Sequence, residues 1–136
     1  MRIVVDTNVI ISGIFFGGVP RKVLQLWREN AFKLICSPEI LEEYEDVLKR
    51  LEKKTGRSES NLVPQFMKLL LRDSTIIQPS HKRQLSRDQD DDKFINCALS
   101  GKALYIVSGD NDLLVLNEVE GIKILTAKDF VEKMSI

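Results

Sequence analysis

Residues Arg87 to Leu116 read RDQDDDKFINCALSGKALYIVSGDNDLLVL, and the fold turns on this stretch. Four aspartates fall within five residues, Asp88 to Asp92. Phe94, Ile95, Ala98 and Leu99 follow at helical spacing. Gly101 is expected to stop that helix, and Ala103 to Val107 has the apolar, β-branched character of a buried strand. Ser108-Gly109-Asp110-Asn111-Asp112 then stands at the strand's carboxyl end. Carboxylates therefore bracket a core element at its entry and its exit. Buried or crowded carboxylates are costly unless a cation compensates them.

Outward from this segment the same alternation repeats. Arg2 to Val5 is a short apolar run that fits a doubly buried strand, ended by Asp6-Thr7-Asn8. Val9 to Phe15 continues as an apolar helix or turn, Gly17-Gly18 breaks the chain, and Pro20 opens a helix carrying Val23, Leu24 and Trp27. Phe32 to Cys36 reads as a second strand. Ser37-Pro38 then fits an N-cap followed by the first helical position of a helix of about 17 residues. Its apolar stripe is Ile40, Tyr44, Val47, Leu48 and Leu51, and Glu43 lies on the flank of that stripe. Gly56 is expected to end it. Arg50, Lys53, Lys54 and Arg57 form a basic stripe, read as a solvated face or as a phosphate-contact surface. A further helix follows Ser58 to Asn61, with Leu62, Phe66, Leu69 and Leu70 inward. Thr75 to Ile77 and Ile122 to Leu125 are expected strands, and Thr126 caps a terminal helix. The lone histidine, His81, falls in a polar loop.

Alternating strands and helices argue for one α/β domain over residues 1–136. The expected architecture is a three-layer α/β/α sandwich around a central, mostly parallel sheet of about four to five strands. The composition is that of an ordinary globule, 43% hydrophobic and 29% charged, with twenty basic residues against twenty acidic ones. The balance of charge selects neither nucleic acid nor membrane, although a neutral total can hide a basic rim around an acidic pocket. Cys36 and Cys97 have no metal-binding spacing and read as buried thiols. Asp6 interrupts the apolar start, and no run approaches a membrane span. A cytoplasmic location without a membrane partner is expected.

Right-handed crossovers bring the carboxyl ends of parallel strands to one edge. Asp6, Asp110 and Asp112 follow strands directly, Glu43 lies in the first turns after the second strand, and Asp92 opens the helix before the fourth. Each has a simpler role to be weighed: Asp6 or Asn8 as a helix cap, Glu43 as a charge favourable at a helix start, one of the four aspartates as an N-cap. Helix capping explains one of the four, not all. A calcium loop beginning at Asp88 is ruled out because Lys93 and Leu99 stand where glycine and glutamate are required. A ring of carboxylates repels itself unless some acids are protonated or a hard cation sits between them. Oxygen-only ligands select Mg²⁺ or Mn²⁺, which suit phosphodiester hydrolysis.

Four pieces in order, IVVDTNVIISG, SPEILEEYEDVL, DDDKFINCAL and YIVSGDNDLL, resemble the PIN-domain ribonucleases, in particular the VapC-like branch of toxin–antitoxin toxin components. The resemblance spans nearly the whole chain. It implies Mg²⁺- or Mn²⁺-dependent cleavage of single-stranded RNA, leaving a 5′ phosphate and a 3′ hydroxyl. It also implies a possible antitoxin protein partner and a possible homodimer. The family's four acids map onto Asp6, Glu43, Asp92 and Asp110 as catalytic and metal-binding residues, with Asp112 an accessory metal-binding acid. Asn8 and Ser108 line the site, and Asp91 takes the place of Asp92 if the register slips by one. Ala127 departs from the proline that relatives often carry after the equivalent of Thr126. A haloacid-dehalogenase-type phosphatase is excluded because Asn8 stands where its second aspartate belongs, and the analogy with a receiver domain is weak because Lys128 is poorly placed for its lysine. The remaining alternative is a non-catalytic RNA- or protein-binding module of the same fold. Phe15 and Phe16 are read as core residues or as contacts for such a partner.

Overall fold

The computed structural model describes residues 1–56, 61–80 and 82–135. Arg57 of the basic stripe, the lead-in over residues 58–60 and His81 lie outside the described residues. The elements run β1 (Arg2–Val5), α1 (Thr7–Phe15), α2 (Gly18–Arg28), β2 (Lys33–Cys36), α3 (Pro38–Thr55), α4 (Leu62–Asp73) and β3 (Thr75–Ile76). A 3₁₀ turn (Gln89–Asp91) then leads into α5 (Asp92–Gly101), β4 (Tyr105–Val107), α6 (Asn111–Leu114), β5 (Glu118–Val119), β6 (Ile122–Leu125) and α7 (Ala127–Met134).

The strands form one sheet in the order β3-β2-β1-β4-β6-β5, flanked by helices. Every pairing is parallel except β5 with β6. The sheet thus has six strands where the sequence gives grounds for four to five. The extra one is a two-residue edge strand, joined to β6 through Glu120 and Gly121, both with positive φ (49° and 87°). Two such residues make the tight primed turn that suits a hairpin. Its usual Asn-Gly or Asp-Gly signature is replaced here by Glu-Gly, so the signal is faint.

β1 lies centrally, with Ile3, Val4 and Val5 wholly buried, and pairs with β2 on one side and β4 on the other. The chain winds from β1 out to β3 and then returns to the opposite side at β4. The crevice beyond the carboxyl ends of β1 and β4 is therefore the topological switch point, where open α/β sheets bind ligands. Tyr44, fully buried on α3, donates its hydroxyl to the Val5 carbonyl and ties α3 to the end of β1. The N-cap of α3 is the expected one: Ser37 Oγ accepts from Ile40 N at 3.2 Å, with Pro38 at the first helical position.

One detail of α5 differs from expectation. Gly101 does not terminate the helix; Lys102 does, in the left-handed conformation at φ 54°. Gly101 is required for space instead, since a Cβ there would come within 2.5 Å of Ile35 Cδ1 on β2. Cys36 and Cys97 are free and buried; burial pushes both thiols up, Cys97 to about 12. Phe15 is in the core, whereas Phe16 is exposed. Among the described residues no single helix is long and apolar enough to cross a membrane.

Candidate active site

Asp6 leaves the end of β1 and serves as N-cap of α1, its Oδ1 accepting from Val9 N at 3.1 Å. The capping role and a site role are thus not exclusive, because the second oxygen, Oδ2, turns to the Ser108 hydroxyl across the switch point. Ser108, wholly buried at the end of β4, also accepts from the Asp110 N–H at 2.9 Å through its Oγ. One hydroxyl therefore links the acids that follow the two central strands. Burial raises the pKa of Asp6, an effect opposed by the hydrogen bonds from Ser108 and Val9 and reinforced by the charge of Asp110.

The third acid of the group is Asp91, the last residue of the 3₁₀ turn. It is only 7% exposed, and its Oδ2 has no hydrogen-bond partner among the described residues. Burial first, then a hydrogen bond with Asp110 and the charges of Asp110, Asp88 and Asp6, push its pKa up to about 7. A carboxyl group so close to others holds a proton unless a cation takes the proton's place. Asp6, Asn8, Glu43, Asp91 and Asp110, with Thr7, line one cleft of about 190 Å³. Glu43 enters it from the second turn of α3. Its Oε2 accepts from the Thr7 hydroxyl, and its Oε1 lies 2.7 Å from Lys93 Nζ.

Asp92 takes a different direction from its neighbour. Its Oδ1 accepts from Leu85 N (3.0 Å) and Ser86 N (2.8 Å), which fastens the loop before the 3₁₀ turn; its Oδ2, like that of Asp91, is buried without a partner among the described residues, but the side chain lines a separate polar groove. The adjacent residue therefore occupies the cleft. Asp112 donates its backbone N–H to Asp110 Oδ1 at 2.9 Å and pairs through its carboxylate with Arg87 at 2.8 Å. One carboxylate oxygen each from Asp88, Asp91 and Asp112 lie within 4.8 Å of one another, so these three could hold a metal ion. Asp88 is not among the candidate ligands read from the sequence; its side chain also caps the 3₁₀ turn by accepting from Asp90 N at 3.0 Å. Thr7 and Lys93 were likewise not singled out, since a threonine in a first helical turn and a lysine on a helix carry no distinct signal.

The donor set fits a hard divalent cation. Among the described residues it consists of carboxylate oxygens without histidine or thiolate, and it contains a buried oxygen, Asp91 Oδ2, with no partner among them.

A mostly parallel α/β sheet with carboxylates gathered at its switch point defines the class of acidic-centred α/β domains. Within it, the chain belongs to the PIN domain family, whose model matches residues 2–112. An uncharacterized protein of Methanocaldococcus jannaschii is 33% identical over 144 aligned positions, covering 98% of this chain and 91% of that one. The PIN domain of T. brucei RRP44 superposes with a TM-score of 0.48 at 12% identity, over 98% of this chain and 80% of that chain. PIN domains are typically nucleases that use a divalent metal, and the aspartate cluster described above is present in this one.

Proposed function

We propose that the protein is a Mg²⁺- or Mn²⁺-dependent endoribonuclease acting on single-stranded RNA in the cytosol, as the toxin of a toxin–antitoxin pair. The observation that carries this reading is Asp91. A carboxyl group with one oxygen unpartnered among the described residues, pushed up to about 7 by burial first and then by Asp110, Asp88 and Asp6, stands at the switch point of a PIN domain. Asp91 would hold the ion, with Asp88 and Asp112 close enough to share it and Asp6 and Asp110 on the wall of the same cleft as Asp91. In this reading Asp91 replaces Asp92, whose near oxygen is committed to the loop.

When bound, the ion supplies Lewis-acid stabilisation of the phosphate and a water acidified for attack. The chain's own residues do the rest by position. Ser108 holds the Asp6 carboxylate and the Asp110 backbone from one hydroxyl, and the Asp112 N–H holds Asp110 Oδ1, so that both acids are positioned before the substrate arrives. Thr7 and Lys93 hold Glu43 against the same cleft. Asn8, exposed at its rim, offers an amide to a phosphate or a base.

The test is cleavage of mixed single-stranded RNAs with Mg²⁺, Mn²⁺ or EDTA. Cutting is expected with either metal, none with EDTA, and none from Asp6→Asn. Metal-independent RNA binding without any cutting would favour a binding module of the same fold instead. The toxin role predicts growth arrest on expression of the wild type but not of Asp6→Asn, relieved by a co-expressed partner protein.

A further inference from the structure

Glu43, on the wall of the acidic cleft, is met from behind by a cation, Lys93. Lys93 stands in the first turn of α5, immediately after the four aspartates, yet its side chain is only 9% exposed. Its ammonium lies 2.7 Å from Glu43 Oε1, donates to the Asp90 carbonyl at 2.6 Å and sits 5.4 Å from the centre of the Phe94 ring. A lysine at a helix surface ordinarily extends its stem so that the ammonium reaches water. Lys93 has that choice, because it borders two open cavities of about 420 and 540 Å³, and it turns to Glu43 instead. Withdrawing an ammonium from water is repaid only where a carboxylate and further acceptors meet it in good geometry. Glu43 and the Asp90 carbonyl supply both.

The consequence falls on Glu43. With Thr7 on Oε2 and Lys93 on Oε1, each of its oxygens has a donor. Asp91 differs, with an oxygen, Oδ2, that has none among the described residues. A divalent ion approaching Glu43 would have to displace an ammonium in contact, and the two positive charges repel strongly at that range. The aspartates offer the ion a place without that opposition.

Building on the nuclease reading above, we propose that Lys93 is a built-in cation of the centre: its ammonium takes the position a metal ion would occupy on Glu43. The divalent ion is then held on aspartates alone. Glu43 is a residue positioned by Lys93 and Thr7 rather than a metal ligand.

The experiment titrates Mn²⁺ alone into the full chain, by calorimetry and by the Mn²⁺ paramagnetic signal, for wild type, Glu43→Gln, Lys93→Met and Lys93→Arg. RNA cleavage is measured separately. Glu43→Gln is expected to leave the number of bound ions unchanged and the affinity within about threefold, because it removes no ligand. Lys93→Met frees Glu43 and deletes a positive charge, so Mn²⁺ should bind at least about tenfold tighter, or a further ion should appear, while cleavage falls. Lys93→Arg should return the metal affinity toward wild type. A lysine that merely supported the fold would weaken metal binding and lower the melting temperature together, the opposite sign. Loss of an ion or about tenfold weaker binding in Glu43→Gln overturns the proposal, as does unchanged binding in a folded Lys93→Met. Should Lys93→Met fail to fold, Glu43→Gln decides alone. A wild type that binds Mn²⁺ as described but cuts no RNA overturns the nuclease reading and leaves this assignment standing. Cleavage together with ion loss in Glu43→Gln does the reverse, and a wild type that binds no Mn²⁺ overturns both.

Discussion

Asp73 closes α4 between two arginines, whereas Asp91 opens α5 among other carboxylates. Arg28 reaches Asp73 Oδ2 at 2.8 Å and Arg72 reaches it at 2.9 Å, and hydrogen bonds from Arg72 and then Arg28 hold its carboxyl well below the usual carboxylate range. Asp91 has no such partner on Oδ2 among the described residues, and its pKa moves up to about 7. A stability-minded arrangement would give the buried acid the cations and leave the exposed one to water. The chain does the reverse, which places an unmet charge where a ligand can meet it. The contrast separates a paired surface acid from the crowded acids of the candidate site.

The largest effect that tests the contrast is on activity. Asp6→Asn and Asp91→Asn should each lower RNA cleavage by more than the roughly 10–100-fold expected for an outer-shell change. Asp92→Asn should keep most of it, since an asparagine Oδ1 still accepts from Leu85 and Ser86. Parallel single-turnover assays on the three variants decide the point, and equal losses at Asp91 and Asp92 would erase the distinction drawn between them. Next comes Ser108→Ala, which leaves every carboxylate in place but removes the hydroxyl between Asp6 and Asp110. A loss of about 10–100-fold in cleavage or metal affinity is expected, as for residues that orient metal ligands.

Much of this was open to reading from the residues, and the part that was not has a local cause. Asp6 and Asp110 are legible because each follows an apolar run directly, and a parallel sheet sends all such ends to one edge. Ser37-Pro38 announces α3, and with it the direction of Glu43. The choice between Asp91 and Asp92 depends on the face of α5, and a 3₁₀ turn of three residues per turn precedes that helix. Counting back from buried Ile95 and Ala98 by four and seven residues leads to Asp91, so a helical-face count starting from the core carries the signal. Lys93 could not be found this way. Its role depends on contact with α3, fifty positions earlier in the chain, and no periodicity within α5 reports that. Glu118-Val119 escaped because two residues are too few to show a strand pattern.

A smaller effect is on stability in the absence of metal. The folded pKa of Asp91 lies above its ordinary 3.8, so the native state binds the proton more tightly than the unfolded chain. That contribution is complete below the ordinary value and is lost as pH rises through about 7; Asp6, also raised, acts in the same sense. In EDTA the melting temperature should therefore fall from pH 5 to pH 8. Saturating Mn²⁺ should flatten or invert the trend, because the ion replaces the proton. Asp91→Asn should weaken it without metal, and an unchanged slope in that variant would remove Asp91 as its source.

The smallest effect belongs to Asp73→Asn. This ion pair lies at the surface, where water and salt screen it and side-chain ordering offsets the attraction. Cleavage and Mn²⁺ affinity should stay at wild-type values, and the melting temperature near neutrality should hardly move. Its pH signature has the opposite sign to that of Asp91. A carboxyl held low in the folded state stabilises above its ordinary pKa and loses that contribution as the pH falls below it. Asp73→Asn should therefore flatten the loss of stability below about pH 4 and leave the decline between pH 5 and pH 8 untouched. Melting curves of the two variants across both windows separate the acids cleanly: one alters only the acid limb, the other only the neutral one. If Asp73→Asn altered the neutral limb or the metal affinity, the arginine pair would be coupled to the cleft, and the surface and the site could no longer be treated as independent regions.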